Sequence, residues 1–354
     1  PDLNIAFFHH TYFPSADVFN VLPWRKEIVG SLLQCDYIGF HIPRQSENFI
    51  DVAKGVMPFE VTEKSGCAPR FLTYGCAVGL DEMTTEIKVN DRTIRLGAHP
   101  VGLDLKRVDT ALEKPEIQNR MQELREELHG IKLVLSVERL DYTKGIPAKL
   151  EAFERLMEDH PELHGKVTLV TVCVPAAKEM TVYNELQNEI EQAVGRINGK
   201  YAHVGWTPVQ FFFRAVPFEE LVAYYAMADV MWITPLRDGL NLVAKEYVAT
   251  QGKTEGKGVL VLSEFAGAAA EVKGAVLCNP HDPAEMAETC YFALSMHPDD
   301  AAAINVVDDQ MMELLGRGGA PIRAWVRVDT TARVGHMELD ARGYEMLRVT
   351  PDQE

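Results

Sequence analysis

Eight consecutive residues, Val167–Val174, read VTLVTVCV and carry no charge. A strand of this kind has no polar face to turn to water, so both of its faces must be covered. That places it at the centre of a parallel sheet with helices on either side. The rest of the chain has to supply the neighbouring strands and the crossover helices between them.

Those units are legible in the hydrophobic periodicity. In the first hundred residues, 5–9, 37–41 and 93–99 read as strands, and 27–35 and 45–54 as helices. Residues 115–129 are charged with a helical period. Beyond residue 130, strands at 131–137, 167–174, 230–233 and 259–262 alternate with helices at 148–159, 182–194, 221–228, 242–250 and 284–296. The second series makes a nearly complete doubly wound domain, and the first makes only part of one. We therefore expect an α/β chain of two Rossmann-like domains, at 1–106 and 107–302, with the N-terminal one truncated. A tail at 303–354 departs from the pattern, with strand-like pieces at 322–328 and 334–339. Because Pro1-Asp2-Leu3 runs straight into a strand, the first units are expected to be missing. A truncated parallel sheet exposes an edge and apolar surface, so this chain alone is expected to be poorly soluble or inactive.

The 354 residues include 52 acidic and 35 basic ones, for a formal net charge of −17. A phosphate backbone needs a basic face, which argues against nucleic acid as a partner. The sequence has no apolar run of membrane-spanning length and no signal peptide, so a cytoplasmic protein is expected. Cys35, Cys67, Cys76, Cys173, Cys278 and Cys290 lack CxxC spacing, which fits reduced thiols better than a zinc site or a dithiol. In so acidic a chain, cations inside motifs carry extra information.

Four stretches could carry chemistry. In 136–145 (SVERLDYTKG), Arg139 and Lys144 follow a strand and precede a helix, where both could meet one anion. A departing diphosphate needs such charge. The alternative is a surface loop whose cations pair with Glu138 and Asp141. In 234–246 (TPLRDGLNLVAKE), a strand ends in a glycine turn and a helix begins. Its N–H groups could hold phosphate oxygens, Glu246 could accept ribose hydroxyls, and Asp238 could accept those of a transferred sugar. The alternative is a capping aspartate and a solvated glutamate. In 7–11 (FFHHT), one imidazole could assist a leaving group, or the pair could be structural. Lys178, in 175–178 (PAAK), could meet an acceptor phosphate or simply be a solvated loop lysine. The dinucleotide, P-loop and nucleophile-elbow motifs are all absent, as is a DxD metal site, so no metal is expected.

Together and in this order, FFHHTYFPSADVFNVLPWR, GRINGKY, GWTP, TPLRDGLNLVAKEYV and LSEFAGAAAE resemble the trehalose-6-phosphate synthase type of retaining glycosyltransferase. GFHIPRQSENF, CAPRFLTYGCAVGLDEMTT, LGAHPVGLDLKRV and VTVCVPAAKEMT resemble its glucosylglycerol-phosphate-forming branch. The resemblance spans about residues 1–296. It implies a GT-B fold, with an acceptor-side first domain and a nucleotide-sugar-binding second one. It also implies transfer of glucose from ADP-glucose to glycerol 3-phosphate, with retention at the anomeric carbon, release of ADP and no further cofactor. By motif position, Arg139 and Lys144 would hold the diphosphate, and the backbone of Gly239, Leu240, Asn241, Leu242 and Val243 would cradle it. Glu246 would bind the ribose, Asp238 the glucose, and Val216 the base through its backbone. His10 would stand near the glucose and leaving group, and Lys178 near the acceptor phosphate, where the trehalose-phosphate synthases carry an arginine. Two other readings stay open: trehalose-phosphate synthesis from UDP-glucose and glucose 6-phosphate, and a non-catalytic nucleotide-binding fragment. Self-association into a homo-oligomer is left open too.

Overall fold

The computed structural model describes residues 3–67, 78–175, 181–254, 256–272 and 274–295, together with two short strands at 313–314 and 322–323. The first sheet holds β1 (Ala6–Phe8), β2 (Tyr37–Phe40), β3 (Glu60–Gly66), β4 (Glu82–Val89) and β5 (Arg92–Ala98), in the order β1-β2-β5-β4-β3. Strands β1, β2 and β5 are parallel, while β4 runs antiparallel to β5 and β3 to β4. The sheet is therefore mixed. The β3–β4 hairpin has no counterpart in the sequence reading, because β3 (EVTEKSG) is exposed along its whole length and buries no apolar face. Helices α1 (Ala16–Phe19), α2 (Arg25–Leu32) and α3 (Pro43–Lys54) follow β1 and β2 in the chain. The core here gathers Phe13, Phe40 and Phe49, with ring centroids 5.6–5.8 Å apart, alongside Ile38 and Val52.

Two helices connect the sheets. Asp104 caps α4 (Leu105–Leu112) by accepting from the Lys106 and Arg107 N–H groups. Helix α5 (Pro115–Leu128) begins with proline at its first position and ends on His129 and Gly130, both in the left-handed region.

The second sheet comprises β6 (Lys132–Arg139), β7 (Val167–Val174), β8 (Val209–Phe212), β9 (Val230–Ile233), β10 (Val259–Ser263) and β11 (Val276–Cys278). All six are parallel, in the order β11-β10-β9-β6-β7-β8. Helices α6 (Ile146–Asp159), α7 (Thr181–Tyr201), α8 (Phe218–Met227), α9 (Leu242–Lys253) and α10 (Pro283–Ser295) cover it. Helix α4 packs on α8 and α9. Strand β7 is covered on both faces, as its composition demands. Val167, Leu169 and Cys173 join one cluster with Phe153 and Ile190, and Val170 and Val172 join another with Ile117 and Tyr224. The strand order reverses between β6 and β9, which opens a crevice at their carboxyl ends. Ile42 and Val78, from the first sheet's side, bury in the second sheet's cluster and close a seam between the two bodies. In the tail, β12 (Glu313–Leu314) pairs antiparallel with β13 (Ile322–Arg323), and the piece expected at 334–339 lies outside the described residues. Cys35, Cys67, Cys173, Cys278 and Cys290 are free thiols, and Cys76 lies outside the described residues.

One ion pair sits inside the second body. Lys149 of α6, 1% exposed, donates to Glu138 Oε1 at 2.8 Å and to Ser136 Oγ at 2.7 Å on β6. Burial pulls the Lys149 ammonium below its usual pKa, and the neighbouring carboxylate opposes that. Removing one partner of a buried pair strands the other charge, which costs more than removing both. Lys149→Met should therefore lose about 3–5 kcal/mol of stability in urea unfolding, and Glu138→Leu combined with Lys149→Met should recover most of it.

Candidate active site

The crevice between β6 and β9 is lined by the loops and helix start that carry Arg139, Lys144, Asp238 and Glu246, four of the charged residues that the sequence singled out. Arg139 is the last residue of β6, exposed, with no ion pair or side-chain hydrogen bond among the described residues. After it the chain turns. Asp141 accepts from the Thr143 N–H at 2.8 Å, a 3-10 turn spans Tyr142–Lys144, and Gly145 (φ 65°) leads into α6. The turn carries Lys144 across to the loop after β9, where its ammonium meets Asp238 Oδ2 at 2.5 Å. The two backbones also meet, since the Leu236 N–H donates to the Thr143 carbonyl at 2.7 Å.

Asp238 has further partners. Its Oδ2 also accepts from Asn241 Nδ2 at 3.0 Å, and its Oδ1 from the Leu240 N–H at 3.3 Å. Asn241 caps α9 by accepting from the Ala244 N–H at 3.0 Å, with φ 81° and ψ 90°. Positive φ in a residue other than glycine is strained and persists where its surroundings fix it. The side chain of Asn241 thus holds both the helix start and the carboxylate, a role that a backbone-only reading did not contain. Gly239 and Leu240 are buried, Val243 is half-buried and Leu242 is exposed. A Cβ on Gly239 would stand 2.8 Å from the His10 carbonyl oxygen, so the first body's loop lies directly against this turn.

Glu246 stands further along α9, half-buried, and accepts from the Tyr225 hydroxyl at 3.1 Å. Burial raises its carboxyl pKa, opposed by the Tyr225 hydroxyl and by the charge of Arg107. Arg107 lies 4.0 Å over the ring of Phe218, close in sequence to the buried Val216. From Asp238 to Glu246, the turn and first helical turns thus present a carboxylate, a run of N–H groups and a second carboxylate. A divided anion with hydroxyls at both ends fits that order.

On the opposite side, His10 is exposed, with its ring 5.5 Å from the buried His41 and 4.7 Å from Phe8. His41 Nε2 lies 3.0 Å from the His10 carbonyl, which can only accept, so that nitrogen carries the proton. Burial lowers the His41 pKa. Arg237 spans the seam, 5.6 Å from the Tyr12 ring and 4.4 Å from that of Phe265. Lys245 bonds both Glu271 and the Val101 carbonyl, tying α9 to the segment between the sheets. Lys178 lies outside the described residues. His41, Gln45, Tyr225 and Arg237 did not emerge from the motifs as functional, although GFHIPRQSENF and TPLRDG contain three of them.

The capping role of Asn241 is separable from its backbone strain. Asn241→Ala should lose about 1–2 kcal/mol in chemical denaturation, and Asn241→Gly only a few tenths, because glycine accepts the positive φ and is a tolerable cap.

Comparison with known proteins gives the family and the fold. Residues 1–306 match glycosyltransferase family 20. The chain is 72% identical over 303 residues to a glucosylglycerol-phosphate synthase of Pseudomonas anguilliseptica, a match covering 86% of this chain and 40% of that protein. It is 48% identical over 352 residues to one from a Picosynechococcus species, covering 99% of this chain and 67% of the relative. That second alignment runs through the 303–354 tail, which the sequence reading had set outside the family pattern. Among solved structures, the trehalose-6-phosphate synthase OtsA superposes with a TM-score of 0.76 at 31% identity, over 86% of this chain and 62% of that one. An α,α-trehalose-phosphate synthase from Burkholderia xenovorans, in complex with glucose-6-phosphate, gives 0.73 at 35% identity, over 86% and 63%. The fold is therefore of the GT-B type, and the chain spans less than half the length of the Pseudomonas relative. The chain belongs to glycosyltransferase family 20.

Proposed function

We propose that this chain carries the donor site and part of the acceptor side of a retaining glucosyltransferase. In this reading it moves glucose from ADP-glucose to glycerol 3-phosphate and releases ADP. The division at 106/107 separates the acceptor-side body from the nucleotide-sugar-binding one. The observation that carries the reading is the ordered series on one turn and helix, with Glu246 for ribose, the α9 N-terminus for diphosphate and Asp238 for glucose. Arg139 and Lys144 supply positive charge beside it, and the Arg139 guanidinium has no ion pair among the described residues. Similarity at 72% identity to a protein named for glucosylglycerol phosphate, against 40% to trehalose-phosphate synthases, supports this acceptor over a sugar phosphate.

The chemistry follows from charge. As the bond between the anomeric carbon and the diphosphate stretches, negative charge grows on the departing oxygen. In this reading Arg139, Lys144 and the helix N–H groups would meet it. Lys144 is shared with Asp238, so donor binding exchanges one ammonium–carboxylate contact for a set that includes phosphate and sugar hydroxyls. Retention requires acceptor attack from the face that the leaving group vacates. The departing phosphate then takes the acceptor's proton, and His10 stands on the acceptor side of the same crevice. Lys178 would meet the acceptor phosphate.

Two measurements test the reading. Calorimetric titration of the chain with ADP and with UDP should show tighter ADP binding. Tighter UDP binding would favour trehalose-phosphate synthesis, and binding of neither would sink the donor-site reading. In an active preparation, Arg139→Ala should lose on the order of 3 kcal/mol of transition-state stabilisation, about a hundredfold in turnover. Undiminished turnover would remove Arg139 from the mechanism.

A further inference from the structure

Gln45 belongs to the first body, yet its side chain ends on the donor turn of the second. It lies in the first turn of α3 and is 0% exposed. Its Nε2 donates to the Gly239 carbonyl at 2.7 Å, a contact between residues 194 apart in sequence. Its Oε1 is buried with no hydrogen-bond partner among the described residues. Four residues earlier, His41 is built the same way: Nε2 donates to the His10 carbonyl, and Nδ1 is buried with no partner among the described residues. Buried polar groups that are only half satisfied cost stability that an apolar side chain of equal size would not. What distinguishes both is the backbone that their satisfied halves grip, the two loops that face each other across the seam.

The Gly239 carbonyl and the Leu240 N–H belong to one planar peptide and point in opposite directions. The carbonyl is held by Gln45, and the N–H reaches Asp238 Oδ1 at 3.3 Å. A rotation of that peptide would move both contacts together. Lys144 and Asn241 engage the other oxygen, Oδ2, so the Leu240 N–H sets the direction of Oδ1.

The geometry points to Gln45 as a positioning residue that, through the Gly239–Leu240 peptide, aims the Asp238 carboxylate at the transferred sugar. This rests on the reading of Asp238 as the glucose contact. Because Asp238 already takes the Leu240 N–H, the diphosphate falls to the N–H groups further into the start of α9, and Gln45 acts on the sugar end of the donor, leaving the ribose end at Glu246 untouched. The acceptor-side body would thereby contribute to donor recognition through a residue, Gln45, that does not itself touch the donor.

The test is calorimetric titration of the full 354-residue chain and of Gln45→Met, each with ADP-glucose and with ADP, alongside thermal unfolding. Methionine keeps the volume and cannot donate. The expected result is ADP binding within about twofold of wild type and ADP-glucose binding weakened by about tenfold, the scale of one lost hydrogen bond. Should Gln45→Met fail to unfold cooperatively, Gln45→Glu, of equal length and without the amide donor, is read in the same way. Equal weakening of both ligands, or of neither, overturns the positioning role while leaving the donor site standing. If the wild-type chain binds ADP-glucose no more tightly than ADP, the glucose contact at Asp238 falls and the proposal falls with it.

Discussion

The contact between Lys144 and Asp238 is the point through which the site is organised. It joins the loops that leave β6 and β9, the two strands between which the sheet order reverses. A parallel sheet is what brings those loops to the same edge, and the crossover helices are what force the sheet to be parallel. Both side chains are about 15% exposed or less, so the attraction is stronger than between surface charges and is only partly screened. Without the pair, only the backbone contact from the Leu236 N–H to the Thr143 carbonyl would join the two loops, and no side chain would hold Lys144 against the sugar-side carboxylate.

The surroundings of that contact are polar and strained. Asn241 sits at positive φ, and among the described residues Glu138 Oε2, next to Arg139 in the chain, is buried without a partner and Gln45 and His41 are each half satisfied. A sequence optimised for stability alone would have filled these positions with apolar groups or relaxed the turn. That they gather around the crevice agrees with the general tendency of functional sites to hold strain that the remaining structure has to support.

Much of this was readable beforehand, and the limits have physical causes. The run at Val167–Val174 announced a doubly covered strand because its composition admits no other environment. Arg139, Lys144, Asp238 and Glu246 were legible as a group because each lies within a few residues of a strand end or helix start. Strand β3 was not legible, since an exposed edge strand is held by backbone hydrogen bonds that leave no side-chain pattern. The short strands β8 and β11 were missed as well, since β8 (VQFF) is interrupted by an exposed glutamine and only partly buried, and β11 (VLC) is three residues long. Helix α7 continues to Tyr201, seven residues past the expected end at 194, because its later residues return Ile197 to the core. The roles of Gln45 and Tyr225 depend on tertiary contacts, and no local spacing encodes them. The Lys149–Glu138 pair is a further case: its two members are eleven residues apart, on a strand and a helix whose relative rotation the sequence does not state.

The seam between the two bodies is held by a particular kind of contact. Gln45 meets a carbonyl, Gly239 packs against the His10 loop, Ile42 and Val78 bury in apolar surroundings, and Arg237 lies between two aromatic rings. A neutral hydrogen bond, an apolar contact and a cation held over ring faces lose little when mobile ions crowd the solution, whereas an exposed ion pair fades within a Debye length. Apolar burial is even strengthened by salts that are excluded from protein surfaces. The joint that brings the two halves of the crevice together is thus built from interactions nearly indifferent to ionic strength, on a chain whose net charge would otherwise make its behaviour sensitive to it.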